Sequence, residues 1–218
     1  MKIKILYQDP NILAIEKPSG ILVDEIAKKF PEFILAHRLD RETSGVMLLA
    51  KNQKAYEFLK KQFSAPALEL KTKSGLADRQ NRIRKTYVAI VNGNVKNDRG
   101  IINKPIGRSP RDFRRWLAGR GARGELREAI TEYKVLKRLK GFTFLEVRPK
   151  TGRTHQIRVH MKYLNHPVVC DSLYNPESPC PKGIKRLALH ALSIEFQNLA
   201  GKNVKVESKL PKEFSKLI

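Results

Sequence analysis

The residues around Asp40 have the types that acid–base or nucleophilic chemistry requires. Asp40 stands between Arg38 and Arg41 and shortly before the apolar run 45–51. An arginine close to a carboxyl group favours the ionised form, and an ionised carboxylate at the edge of a buried strand can act as a nucleophile or a general base. Aspartate is also a common turn and capping residue, and the following Thr-Ser-Gly sequence is typical of turns. Composition alone therefore leaves a catalytic and a structural Asp40 both open.

The histidines and the two cysteines are the other residues with chemical potential. His155 and His160 are five residues apart, a spacing that does not place both on one helix face, and neither cysteines nor acidic residues stand at ligand spacing beside them. We therefore expect no metal site. A hydrolase that uses His37 or His155 as a base is a weaker alternative, because no nucleophile motif accompanies them. Cys170 and Cys180 are expected to be unpaired thiols.

The pattern of apolar residues predicts the elements that must position these groups. Strands are predicted over 3–7, 12–16, 45–51, 86–91, 131–138, 142–148, 187–196 and 203–207. Helices are predicted over 24–30 with Asp24 as N-cap, over 52–63 with Asn52 as N-cap, and over 155–164. Many strands with few helices favour an α+β fold with a mixed, mostly antiparallel β-sheet and flanking helices. Residues 64–84 are polar and basic, and we predict an irregular, exposed insertion there.

Charge indicates the kind of partner. The 218 residues include 44 Lys and Arg against 21 Asp and Glu, a net charge of +23. A compact chain with that charge repels itself and favours a polyanion, for which RNA is the obvious candidate. The apolar runs are too short for a membrane span, and the N-terminus has no signal-peptide core. We therefore expect a cytoplasmic protein. The sequence does not give the oligomeric state, and a monomer is the default expectation.

Positive charge is dense in residues 104–128, which we predict to form a basic arm or loop. A run of charge is usually only a solvated face. Here, however, the arginines are interleaved with Phe113 and Trp116, a combination that suits contact with single-stranded or looped RNA.

Several motifs, in order along the chain, resemble those of the RluA-type pseudouridine synthases, which convert selected uridines in RNA to pseudouridine. The central motif is His37-Arg38-Leu39-Asp40, followed after two residues by Thr43-Ser44-Gly45. The other matches are ILAIEKPSG at 12–20 with Leu22-Val23, KTYVA at 85–89, GRTHQIRVH at 152–160, HPV at 166–168, Asp171-x-x-Tyr174, LHA at 189–191 and PKEF at 211–214. The resemblance extends over nearly the whole chain. It implies one catalytic domain, residues 1–218, with the pseudouridine synthase fold and a sheet in two halves separated by a cleft.

The resemblance also implies roles for individual residues. Asp40 would be the catalytic aspartate, Tyr87 would lie against the target base, and Arg158 would pair with Asp40. Taken alone, Tyr87 is equally well a core aromatic residue, and Arg158 is more simply a surface helix residue. Arg38 would fill the space left by the flipped nucleotide; taken alone, it is a phosphate contact or a solvated side chain. The residues expected to bind RNA are His37, Arg38, Arg41, Arg108, Arg111, Arg114, Arg115, Arg120, Arg153 and His155.

The implied reaction needs neither a cofactor nor a metal, because detaching and reattaching a uracil involves no redox change. Asp40 would either attack the ribose or the base directly, or remove a ribose proton to give a glycal, and the resemblance leaves both routes open. A base within folded RNA must first leave its stack. Basic side chains that neutralise phosphate can offset the free energy which that step requires.

The sequence departs from the family pattern in three places. The link 64–84 is longer than usual, the link between Val23 and His37 is shorter, and Cys170 stands where many relatives have glycine. These departures bear on substrate choice more than on chemistry. We also expect no S4-type RNA-binding module, so RNA binding would rest on the catalytic domain. A non-catalytic RNA-binding or ribosome-assembly protein on the same scaffold is the alternative, and the presence of Asp40 favours the enzyme.

Overall fold

The computed structural model describes residues 3–65 and 82–218, which contain thirteen strands and four helices. The chain forms two compact units. The first includes residues up to Lys85 together with Ala191–Lys209, and the second includes Thr86–His190 and Leu210–Ile218.

The fold is α+β with mostly antiparallel strand pairing, which confirms the predicted class. Most of the predicted insertion 64–84 lies outside the described residues, and the single domain 1–218 stays a prediction. Within the described ranges, no helix has the length and apolar character needed to cross a membrane.

The first unit is built on a β-sheet. Its elements are β1 (Lys4–Gln8), β2 (Ile12–Lys17), α1 (Val23–Lys29), β3 (Ile34–Leu35), β4 (Ser44–Ala50), α2 (Gln53–Ser64), β12 (Leu189–Gln197, from Ala191 on) and β13 (Asn203–Glu207). The sheet order is β1-β2-β4-β12, with β3 paired to β4 and β13 paired to β12. All seven residues of β4 are buried, so this strand forms the centre of the unit's core.

A side-chain hydrogen bond supports the first turn of each helix of the first unit, and the sequence predicts one of the two. The Asn52 side chain accepts a 2.9 Å hydrogen bond from the Ala55 N–H, which confirms the predicted cap of α2. Leu59, one turn further on, is fully buried against the sheet core. In α1 the N-cap is Leu22 rather than the predicted Asp24. The Leu22 side chain cannot accept a hydrogen bond. Instead, the Glu25 carboxylate accepts a 3.0 Å hydrogen bond from the Leu22 N–H and stabilises the first turn of the helix.

The second unit contains a four-stranded antiparallel sheet and two helices. Its elements are β5 (Arg84–Asn92, from Thr86 on), β6 (Arg99–Asn103), β10 (Ile130–Leu139), β11 (Phe142–Pro149), α3 (Gln156–Tyr163) and α4 (Lys212–Ser215). The strand order is β5-β11-β10-β6. Residues 88–91 of β5 are buried, and they account for the strand predicted there.

The stretch 104–128 differs from the predicted basic arm or loop. It contains three short strands, β7 (Ile106–Arg108), β8 (Trp116–Ala118) and β9 (Arg123–Arg127), which form an antiparallel sheet in the order β8-β7-β9. Its apolar residues, among them Ile106 and Trp116, pack with Val159 of α3. The arm is therefore a small basic sheet fixed to a helix. The sequence does not reveal β9 because all five of its residues are exposed and show no apolar alternation. It does not reveal β7 and β8 because each has only three residues, too few for a periodic signal.

The prediction of unpaired thiols is wrong. Cys170 and Cys180 are joined by a disulfide, with their Cα atoms 5.2 Å apart. The ten-residue spacing of the two cysteines does not indicate whether they pair. Their pairing depends on the folded loop, in which Cys170 adopts a left-handed backbone conformation with φ of 56°. The bridge closes a loop that carries Asp171 and Tyr174.

Candidate active site and basic surface

Asp40 lies in the loop between β3 and β4 and is half-buried. Leu39 beside it is buried, whereas Arg38 and Arg41 are exposed. The Thr43 N–H donates a 3.1 Å hydrogen bond to the main-chain oxygen of Asp40, which closes a turn just before β4 begins. The first unit therefore places an aspartate and two exposed cations on one short loop, as the sequence predicts.

The turn after β2 holds this loop in place. Lys17 is fully buried, and its Nζ donates hydrogen bonds to the main-chain oxygens of Pro18 at 2.9 Å and Arg41 at 3.0 Å. The Gly20 N–H donates to the Arg41 oxygen, also at 2.9 Å, and the Arg41 Nε donates back to the Gly20 oxygen at 3.1 Å. A buried ammonium group is stable only when polar atoms surround it. Lys17 therefore fixes the main chain directly after Asp40.

Two further contacts complete the support of the Asp40 loop. The Ser19 hydroxyl donates a 2.6 Å hydrogen bond to the Glu42 main-chain oxygen. Gly45 has a φ of 116°, and a Cβ atom there would collide with the main chain of Ala191. Only glycine satisfies both conditions, which explains the glycine at the second position of β4.

His37 lies at the start of the same loop, and its ring makes contacts that stabilise the fold. Its Nε2 accepts a 2.9 Å hydrogen bond from the Leu48 N–H of β4, and its ring lies against Phe63 with centroids 4.8 Å apart. Desolvation, together with the positive charge of Lys85, lowers the pKa of His37 from 6.5 to about 3. The ring is therefore neutral at physiological pH and already serves a main-chain donor. This geometry gives no support to His37 as the base of a hydrolase.

The depressed pKa of His37 predicts a pH dependence of stability. Below pH 6.5 the unfolded chain protonates this ring while the folded chain does not, so protons favour unfolding. We expect the free energy of unfolding to fall by about 2 kcal/mol between pH 6 and pH 4 through this group. His37→Gln keeps an acceptor for the Leu48 N–H without a titrating ring, so denaturant unfolding of this variant should lack that decrease. Identical pH profiles for the variant and the wild type would contradict the assignment.

Tyr87 and Arg158 lie in the second unit. Tyr87 is half-buried on β5, opposite Val147 of β11. Arg158 is buried on α3, and its guanidinium makes a two-point ion pair with Asp171, with Nε and one terminal nitrogen each 2.7 Å from a carboxylate oxygen. Arg158 is thus a buried residue rather than the surface helix residue of the alternative interpretation. Its pairing with Asp40, implied by the resemblance, stays a prediction.

Asp171 and Tyr174 are residues to which the sequence analysis assigned no role, although their motif was visible. One Asp171 carboxylate oxygen also accepts hydrogen bonds from the main-chain N–H groups of Leu173 and Tyr174, both 3.0 Å long. The Tyr174 ring lies under the Arg158 guanidinium at 5.1 Å. Its hydroxyl is 3.0 Å from Nδ1 of His155 and accepts a 2.9 Å hydrogen bond from the main chain of β8. His155, predicted to bind RNA, is therefore half-buried at the start of α3.

Gln156 fixes the loop that leads into α3. Its side-chain oxygen accepts from the Thr151 hydroxyl at 2.7 Å and from the Arg153 N–H at 3.0 Å. Its side-chain nitrogen donates to the Ile130 oxygen at 3.0 Å. Arg153 remains exposed, with its Nε bonded to the Glu128 main-chain oxygen at 2.9 Å.

In the parts of the chain that the structure describes, no three His, Cys, Asp or Glu side chains gather where they could hold a metal ion.

The small sheet carries the remaining residues predicted to bind RNA. Arg108 is exposed at the end of β7, and its guanidinium lies 4.2 Å from the Trp116 ring. Arg115 is half-buried, and the exposed members of the set are Arg111, Arg114 and Arg120. The second unit therefore has an arginine-rich surface on a regular scaffold. A surface of this charge attracts polyanions.

Comparisons with known proteins agree with this picture. A family model described as RNA pseudouridylate synthase matches residues 11–163. An uncharacterised RNA pseudouridine synthase of Helicobacter pylori is 38% identical over 212 residues, which cover 94% of this chain and 78% of that protein. A ribosomal large subunit pseudouridine synthase D of Xanthomonas campestris is 32% identical over 246 residues, covering 99% of this chain and 68% of the relative. The solved structure of human RNA pseudouridylate synthase domain containing 1 aligns with a TM-score of 0.77 at 25% identity, covering 96% of this chain and 84% of that one.

Fold and comparisons together define an enzyme that isomerises nucleotides within RNA. The chain belongs to the RluA/RluD-type family of RNA pseudouridine synthases. This confirms the resemblance found in the sequence, the pseudouridine synthase fold, and RNA as the partner.

Proposed function

We propose that the protein converts specific uridines in ribosomal or transfer RNA to pseudouridine, with Asp40 as the catalytic aspartate. Ribosomal RNA has the better support, because the Xanthomonas campestris relative is named for the large ribosomal subunit. The observation that carries the role of Asp40 is the fixation of its loop. Lys17, Ser19 and Gly20 all bind the main chain immediately after it. A reacting carboxylate must be held in position, because misplacement by about 1 Å lowers rates about 100-fold.

Tyr87 and Arg158 are proposed as the other catalytic residues. In the isomerisation, the bond from ribose C1′ to N1 of uracil breaks and a bond from C1′ to C5 forms. One proton leaves C5 and one is gained at N1, so the reaction is balanced without a redox partner. Asp40 acts on the ribose or the base, and the Tyr87 hydroxyl lies against the base and helps to remove the C5 proton. Two of the nitrogens of Arg158 are fixed by Asp171, which supports a role as a rigidly held cation.

Mapping pseudouridines in RNA from cells with and without this protein tests the proposal. We expect one or more uridines in ribosomal RNA to be modified only when the protein is present. Restoring the wild-type chain to the deletion strain should restore the same positions. Identical maps in both strains would contradict the proposed function.

The arginine-rich surface predicts a measurable salt dependence of RNA binding. Each phosphate contact with single-stranded nucleic acid contributes about 0.7 to the slope of log affinity against log salt. Replacement of Arg114, Arg115 and Arg120 by glutamine should therefore weaken binding to a ribosomal RNA transcript and lower that slope by about 2.

A matched variant separates local contacts from net charge. Lys4, Lys28 and Lys54 are exposed residues of the first unit, and their replacement by glutamine removes the same three charges. We expect this control to change the salt slope far less. Equal slopes for the two triple variants would show that the small sheet does not contact phosphate.

A further inference from the structure

Phe113 lies between β7 and β8 with its side chain in solvent. It is 81% exposed, more than any other large hydrophobic residue that the structure describes. Single exposed apolar residues are common on protein surfaces and need no explanation by themselves. The surroundings of Phe113 distinguish it, because the segment that carries it is tightly built and strongly cationic.

Asp112 organises this segment. Its carboxylate accepts hydrogen bonds from the Arg114 main chain at 2.9 Å and from the Arg114 guanidinium at 2.9 and 3.1 Å. Its main-chain oxygen accepts from the Arg115 N–H at 2.9 Å, and the Arg115 oxygen accepts from the Ser109 N–H at 3.0 Å. The hydrogen bonds from Arg114 lower the pKa of Asp112 to about 2, so the carboxylate is ionised at neutral pH and holds the segment there.

Arg108 connects Phe113 to the body of the second unit. Its guanidinium donates a 2.8 Å hydrogen bond to the Phe113 main-chain oxygen while it stacks on the Trp116 ring. The main-chain N–H of Trp116 in turn donates to the buried Tyr174 hydroxyl at 2.9 Å. The main chain of Phe113 is thus anchored in place while its ring projects outward. Because the main chain of Phe113 is already fixed, binding through its ring requires little further ordering of the backbone.

The charges around Phe113 identify the kind of partner. Arg111 and Arg114 are exposed on either side of it, and Asp112 is the single acidic residue of 104–124. Cations beside an exposed aromatic ring suit a ligand that carries both phosphates and flat bases. Base stacking on an aromatic side chain contributes substantially per base and tolerates any sequence.

We propose that Phe113 stacks on an unpaired base of the RNA substrate, at a position other than the uridine that is isomerised. The inference rests on the proposed function, because it assumes that RNA binds the second unit. It adds a specific aromatic contact to the phosphate contacts of the neighbouring arginines. The ligand is therefore a nucleobase in single-stranded or looped RNA.

Binding to two polyanions separates stacking from charge. Phe113→Ala should weaken binding to poly(A), whose bases stack strongly, by about tenfold and leave binding to inorganic polyphosphate unchanged. Phe113→Leu keeps apolar bulk without the aromatic ring and should resemble Phe113→Ala, whereas Phe113→Trp should bind poly(A) at least as well as the wild type. Ile101→Ala, at a residue of β6 that is 69% exposed, is the matched control and should bind like the wild type.

Fluorescence reports the contact directly, because Trp116 is the single tryptophan of the chain. In the double variant Phe113→Trp/Trp116→Phe, a lone indole occupies position 113. Poly(A) should quench its emission, since a stacked base deactivates the excited ring, and polyphosphate should not. Equal effects of the two polymers would overturn the inference.

The outcomes distinguish the inference from the proposed function. If Phe113→Ala or Phe113→Leu binds poly(A) like the wild type, the stacking role is wrong even when the wild type forms pseudouridine. If the wild type forms no pseudouridine in cellular RNA, the proposed function is wrong, while the poly(A) and fluorescence results still decide whether Phe113 stacks on bases. In an active enzyme, Phe113→Ala should raise KM for a ribosomal RNA transcript and leave kcat unchanged, because a contact that is equally strong in the ground state and the transition state contributes only to binding.

Discussion

Replacement of Asp40 by asparagine is expected to reduce the rate of pseudouridine formation by at least about 10⁴-fold. The amide has nearly the size of the carboxylate, but it can act neither as a nucleophile nor as a general base. The measurement is single-turnover conversion of a ribosomal RNA transcript, with pseudouridine quantified by mass spectrometry. Saturating enzyme ensures that the observed rate reports the chemical step rather than binding.

The same variant should fold and bind RNA normally. The hydrogen bond from Thr43 is to the main-chain oxygen of Asp40, and the Lys17 and Gly20 contacts are to the main chain of Arg41, so asparagine preserves all three. Asp98→Asn is a suitable control, because it makes the same chemical change at a side chain that is 79% exposed and bonded to Arg138. We expect full activity for this control. Pseudouridine formation by Asp40→Asn at the wild-type rate would remove Asp40 from the mechanism.

Elements with a buried, continuous apolar pattern were predictable, and very short or fully exposed strands were not. The apolar run 45–51 predicts a strand, and β4 is buried along its whole length. The helical spacing of Tyr56, Leu59 and Phe63 behind the cap Asn52 predicts α2. β3 has only two residues, and β9 is exposed throughout, so neither leaves a periodic signal. Their strand geometry comes from neighbours that are distant in the sequence, and a local pattern cannot reveal such neighbours.

The motif around Asp40 was visible in the sequence, but the groups that support it were not. Lys17 directly follows the predicted strand 12–16, in a segment expected to break it, yet it is fully buried and binds a carbonyl group 24 residues away. The partner of Arg158 within its own unit was likewise hidden, because Asp171 follows thirteen residues later on a loop. Both contacts depend on tertiary structure. The residue types needed for chemistry are local signals, whereas their positioning is not.

The ion pair of Arg158 and Asp171 predicts the largest effect on stability. Asp171→Ala should lower the free energy of unfolding by about 3 kcal/mol, because it removes one partner of a buried ion pair. The exposed fractions of the two side chains are 7% and 0%, so water cannot replace the lost carboxylate. Asp171 also binds two main-chain N–H groups of the loop closed by the disulfide, and these lose their acceptor as well. Denaturant unfolding monitored by circular dichroism provides the measurement.

Two comparisons establish that burial is responsible. Glu125→Ala breaks the ion pair with Arg127, whose side chains are 76% and 55% exposed, and should change stability by less than about 1 kcal/mol. The variant Arg158→Met has no buried cation that could be left without its partner. In this variant, Asp171→Ala should be distinctly less destabilising than in the wild type. A double-mutant cycle should therefore yield a coupling energy above about 1 kcal/mol. If Asp171→Ala lowers the free energy of unfolding equally in the wild type and in Arg158→Met, Asp171 stabilises only its own loop. The guanidinium of Arg158 must then be positioned by other contacts, and its orientation would not depend on the ion pair.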